Sequence, residues 1–231
     1  MSTLAVRAAG IVRRPRATLT TVAAEPRWVA VLVATTLITF ACQAAFLSTE
    51  VGQLALVDQW ERTAIAFGGS IGDGEYAQFH ELSRQGIAYA ALTAVLSGPV
   101  LTIALAPVLL GVVRALGAAA SLTQLLAIVS HAGVILALRQ LIATPLNYVN
   151  ETLASPTTLI RLAGALDEGS PLARFLGVID LFVVWWVVVL AIGVGVLVHR
   201  PAHRLALAFA GAYVALALLL AAAMALTGGT A

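Results

Sequence analysis

Long runs of apolar residues alternate with short polar connections along the chain, and the runs have the length of membrane-spanning helices. Residues 28–47, WVAVLVATTLITFACQAAFL, continue for twenty positions without a charge. At about 1.5 Å per residue, such a helix matches a hydrocarbon core of roughly 30 Å. Comparable runs cover residues 86–113, 122–144, 176–198 and 205–226. The pattern predicts an all-α polytopic membrane bundle with five transmembrane helices and short amphipathic interfacial helices. It divides the chain into a cytoplasmic amphipathic lead-in over 1–27, a membrane domain over 28–226, and an external tail over 227–231.

The second run is longer than a span requires and contains Pro99 and Pro107, each of which removes a backbone donor and favours a kink. The connections carry structure of their own. Val51, Leu54, Val57 and Trp60 recur at near-helical spacing, which predicts an amphipathic helix that ends in the glycine-rich stretch at 68–74. Ser155-Pro156 and Ser170-Pro171 each have the form of an N-cap followed by proline at the first helical position, the latter opening the fourth span. At the start of the chain, Leu4, Ala8, Ile11 and Val12 share a helical face flanked by Arg7, Arg13 and Arg14, and Pro15 and Pro26 divide the region into two short pieces. This face suits an anionic inner leaflet; a basic retention signal that only fixes topology is the alternative.

Composition supports the membrane assignment and then adds orientation. Charged residues make up 10% of the chain and hydrophobic ones 61%, whereas a soluble domain carries charge on roughly a quarter of its residues. Every one of the 13 basic residues is arginine. With the N-terminus inside, the cytoplasmic connections hold Arg7, Arg13, Arg14, Arg16, Arg27, Arg114, Arg200 and Arg204, against Arg62, Arg84, Arg161 and Arg174 outside. Retention of positive charge on the cytoplasmic side therefore predicts a multi-pass protein of the cytoplasmic membrane with its N-terminus in the cytoplasm and its C-terminus external. Asp167 and Glu168 fall on the outer side with most other acids. The single cysteine, Cys42, excludes an internal disulfide and any multi-thiolate metal site.

Several of these features, taken in order, resemble the bacterial branch of the Yip family, the membrane domain named after Ypt-interacting proteins. The likeness begins with Arg14-Pro15-Arg16-Ala17-Thr18-Leu19 and Pro26 before the first span. It continues with the middle helix opening at Ser121-Leu122-Thr123-Gln124-Leu125-Leu126-Ala127-Ile128-Val129. It ends with Ile179-Asp180-Leu181-Phe182-Val183-Val184-Trp185, then Gly193, and the basic turn from His199 to Arg204. Where family members often carry a proline in the third span, this chain has Ala132-Gly133-Val134. The resemblance implies a fold more than an activity: eukaryotic relatives serve vesicle trafficking and contact small GTPases.

The candidate site comes from charges at matched depth. Arg139 lies about five residues from the outer end of the third span and Asp180 about four residues into the fourth, so both are expected roughly 6–8 Å below the outer boundary. A lone charge there costs about 2–3 kcal/mol, which favours an Arg139–Asp180 ion pair. It would act as a clamp between helices or as a gate for a polar substrate or lipid headgroup. Gln43 and Gln140 are candidates to extend the network. His131, near the midplane, is expected to be a neutral imidazole hydrogen-bonded between helices more readily than a proton relay, since no carboxylate shares its depth. Phosphate-loop and two-histidine zinc signatures do not occur, so no catalysis, cofactor, metal or nucleic-acid partner is expected. The bilayer and membrane proteins, a transporter among them, are the expected partners. The reading is a non-enzymatic accessory or regulatory protein of a membrane transport or envelope system. The alternative is a small transporter or lipid-moving protein using the Arg139–Asp180 region.

Overall fold

Pro15 marks the first reversal of the chain, and the helices on either side show why it falls there. The computed structural model describes residues 4–163 and 171–227. Helix α1 runs Leu4–Arg13 and α2 Pro15–Ala24, with the proline at the first position of α2, where its missing N–H would have no intrahelical acceptor anyway. The two helices pack closely: a side chain on Gly10 would collide with the Thr18 hydroxyl.

Helix α3, Val29–Leu47, is the first long apolar helix. Thr49 then caps α4, Glu50–Ala66, its hydroxyl accepting from the Gly52 amide at 3.1 Å. The helix stops where Gly68 takes a φ of 81°, a left-handed value that favours glycine. Helix α4 buries Gly52, Ala55, Leu56 and Val57, while Leu54 is exposed. The predicted face was therefore partly misplaced, because a strict spacing of three drifts around a helix of 3.6 residues per turn. Helix α5, Asp73–Ser83, opens with the Glu75 carboxylate accepting from the Gly72 amide at 3.2 Å.

Helices α6, Gly86–Val95, and α7, Leu101–Ala115, are joined by a π-helical turn, Leu96–Val100, that contains Pro99. The widened turn accommodates the missing proline donor. Pro107 lies within α7. Helix α8, Leu122–Val149, is α-helical through Ala132-Gly133-Val134 and carries its own proline at Pro145. Its first turn is fixed by a reciprocal box: Gln124 accepts from the Ser121 amide at 2.9 Å and Ser121 from the Gln124 amide at 3.2 Å.

After α8 come α9, Leu159–Ala163, α10, Pro171–Val178, α11, Leu181–Leu197, and α12, Ala202–Thr227. Two expectations are corrected here. The predicted fourth span, 176–198, is interrupted at Ile179–Asp180, so that its longest helical portion is the 17-residue α11. Ser155-Pro156 does not open a helix but lies in an irregular turn, and α9 begins only at Leu159. Ser170, Asp167, Glu168 and the tail residues 228–231 lie outside the described residues.

Among the described residues, four helical stretches are long and apolar enough to cross a membrane: Val29–Leu47, Gly86–Ala115, Leu122–Val149 and Ala202–Ala223. In the most apolar window of Leu122–Val149, 50% of residues are buried, against 17–22% in the other three, so those three present most of their surface outward. Exposed Val33, Leu37, Ile103, Val108, Leu207 and Leu219 would be a liability in water and are suited to lipid.

Two compact units emerge. The first comprises Met1–Thr39, Thr93–Arg139 and Phe182–Ala212. Its core unites Ile11 and Leu19 with Leu109, Val113, Leu125, Ile128, Ile135, Val189 and Val194. A Cβ on Gly193 would run into the Ile128 side chain, so this close approach of α11 to α8 requires glycine. The second unit comprises Phe40–Leu92, Gln140–Leu181 and Tyr213–Ala231. Its core is Phe46, Leu47, Ala55, Leu56 and Ala90. Trp60 stacks edge-on against Phe79 and Tyr89, with centroids 5.6 and 5.8 Å away.

Candidate functional site

The break between α10 and α11 should leave backbone groups without partners, which is costly for a segment in an apolar setting. Four of them are met from a distance in sequence. Asp180 forms an isolated antiparallel bridge with Thr158. On either side, the Leu159 amide donates to the Ile179 carbonyl at 2.9 Å and the Leu181 amide to the Thr157 carbonyl at 3.1 Å. The Tyr213 hydroxyl, from α12, accepts from the Asp180 amide at 3.2 Å and donates to the Val178 carbonyl at 2.8 Å.

The Asp180 side chain completes this node. It is 4% exposed, and one carboxylate oxygen, Oδ2, accepts from the Ser155 hydroxyl at 2.5 Å and the Thr157 hydroxyl at 2.8 Å. Hydrogen bonds to an ionised acceptor are shorter and roughly twice as strong as neutral ones, which offsets part of the burial penalty. Asp180 also directly precedes α11, where the positive end of the helix dipole favours a carboxylate. The arrangement staples the 155–159 turn to the start of α11.

Arg139 is half-buried at the end of the first unit's middle segment, and Asp180 belongs to the second unit. Gln140 reaches its own helix, donating to Thr144 at 3.5 Å. Gln43 lies in α3. His131 is 1% exposed, and its Nδ1 contacts the Ala127 carbonyl at 2.8 Å, four residues back on the same helix. The expected bond between helices is thus replaced by one within α8. Phe182 and Trp185 lie 5.9 Å apart and pack with Gly193's neighbours onto the first core.

Sequence reasoning missed Thr157 and Tyr213, and assigned Ser155 to a cap. A tyrosine in an otherwise alanine- and leucine-rich helix was the available signal for Tyr213. It also missed that Gln124, beyond capping α8, donates to the Ala23 carbonyl at 3.0 Å and so ties α8 to the end of α2.

The order of these features, from the N-terminal hairpin to the α11–α12 turn, coincides with a family match: the Yip1 domain model covers residues 9–224. The chain belongs to the Yip1 domain family. The Yip1 match takes in most of the hairpin, the Asp180 node and nearly all of α12, and it bears out the resemblance to the Yip family read from the motifs. With its apolar helices, the Yip1 assignment makes this a membrane protein. No curated protein and no solved structure matches the chain.

Proposed function

We propose that this Yip1 domain protein works without chemistry of its own, as an accessory or regulatory partner of a membrane transport or envelope system. In this reading it crosses the cytoplasmic membrane five times, N-terminus inside and C-terminus outside. The fourth crossing is α11, whose 17 residues stand at the short limit for a span. The observation that carries the reading is the Asp180 node: the acid in the fourth apolar run is taken up by Ser155 and Thr157, and its backbone by Tyr213. A group so engaged favours a fixed scaffold over an element that must rearrange in each cycle.

Outward contacts would come from α4 and α5, where Ile65, Phe67, Tyr76 and Leu82 are exposed. Photo-crosslinkers placed at Ile65 and Tyr76 in native membranes are expected to capture one recurrent partner that a crosslinker at lipid-facing Leu207 does not. Capture of the same proteins from all three positions would overturn the reading.

The broken helix at Ile179–Asp180 and the π-turn at Pro99 favour the second reading, a small transporter or lipid-moving protein, because interrupted helices line many transport sites. Flux in reconstituted vesicles that Asp180→Asn abolishes would select it. The pairing of Arg139 with Asp180, suggested by their depths in the sequence, belongs to both readings. Exchanging the two charges should restore stability lost in either single reversal, and no restoration would remove the pair.

A further inference from the structure

Between α1 and α2 lies an open cleft of about 570 Å³, within the range of small-ligand pockets. Its floor is made by small or apolar residues, Val6, Ala9, Gly10 and Ala17, and it is bordered by Arg7, Arg13 and Arg14. These arginines do not have equal roles. Arg7 is held in place by Glu25, with an ion pair of 3.2 Å and a bond to the Glu25 carbonyl at 3.4 Å. Arg13 and Arg14 stand together at the hairpin turn, exposed, and among the described residues neither has an acid within ion-pair distance.

We propose that this cleft binds the phosphate of an anionic phospholipid headgroup, which the Arg13 and Arg14 guanidinia grip while its glycerol lies along the Val6–Ala17 floor. Both arginines line the cleft, and guanidinia present planar donor forks that match phosphate oxygens. The apolar floor suits the amphiphilic remainder of a lipid better than a free anion. Location selects the same ligand: only Glu25–Trp28 separate α2 from the first long apolar helix, which holds the hairpin at the bilayer surface. Exposed Leu4, Val6 and Val12 on α1 add apolar contact with the interface. The inference stands independently of the partner reading above.

The test uses the full-length protein in nanodiscs of equal phosphatidylglycerol and phosphatidylcholine, with retained lipid counted by native mass spectrometry. The wild type is expected to retain phosphatidylglycerol selectively. Arg13→Gln/Arg14→Gln should lower that retention about thirtyfold, since each surface arginine contributes about a factor of five toward anionic lipid. Ala17→Trp, which keeps every charge and fills the cleft, should lower it comparably; circular dichroism and elution verify that both variants fold. Wild-type retention in Ala17→Trp, or an equal loss in Arg16→Gln/Arg27→Gln outside the cleft, would overturn the site in favour of general surface attraction. Displacement by inorganic phosphate as readily as by a short-chain phosphatidylglycerol would overturn the lipid as its occupant.

Discussion

Replacing Tyr213 by phenylalanine removes one oxygen and keeps the ring, so it isolates what holds the α10–α11 break together. That oxygen accepts from the Asp180 amide and donates to the Val178 carbonyl, at 3.2 and 2.8 Å. Asp180 is 4% exposed, and water has little access to the amide left behind. A buried group stripped of its partner costs about 1–3 kcal/mol, and with two groups affected the loss should reach about 2–4 kcal/mol after some relaxation. For a chain of this size each kcal/mol moves the melting temperature by roughly 2–4 °C, so a drop of at least about 4 °C is expected in mild detergent. Hydrogen exchange should accelerate locally at residues 178–181. A melting temperature within about 1 °C of wild type, with unchanged exchange at those amides, would refute the reasoning.

Other positions give sharp outcomes. Gly193→Ala forces a methyl onto the Ile128 γ carbons and should destabilise by about 1–3 kcal/mol, with a less than additive loss in the Gly193→Ala/Ile128→Ala double variant measured by thermal melts. Gln124→Ala removes both the acceptor for the Ser121 amide and the donor to Ala23, and should cost about 1–2 kcal/mol in detergent-based unfolding. Asp180→Leu strands the Ser155 and Thr157 hydroxyls and should destabilise more than Asp180→Asn, whose amide oxygen still accepts; equal melting temperatures for the two would contradict the staple.

The long apolar helices were legible because membrane burial writes itself locally, as uninterrupted runs of the required length. Pro15 and Pro99 were legible for a related reason, since proline acts on its own backbone neighbours. The break at Ile179–Asp180 was not, because its stabilisers are remote: Ser155, Thr157 and Tyr213 lie 25, 23 and 33 residues from Asp180. No local breaker stands at that point in the apolar run. Asp180 was singled out as a charge at membrane depth, yet its hydroxyl partners sit in a turn whose Ser-Pro pair mimics a helix start. His131 shows the opposite limit. Its burial followed from its place in the run, but a helix can satisfy an imidazole from its own carbonyls, and sequence does not distinguish that from a bond to a neighbour.

The proposed five-crossing topology depends on α11 being a crossing, despite its 17 residues. In a Cys42→Ser background, single cysteines at Asn150, before the turn that feeds α11, and at His203, beyond its end, can be labelled with an impermeant maleimide from either face of sealed vesicles. The account predicts that Asn150→Cys reacts from the outer face and His203→Cys from the inner one. Labelling of both from the same face would contradict it.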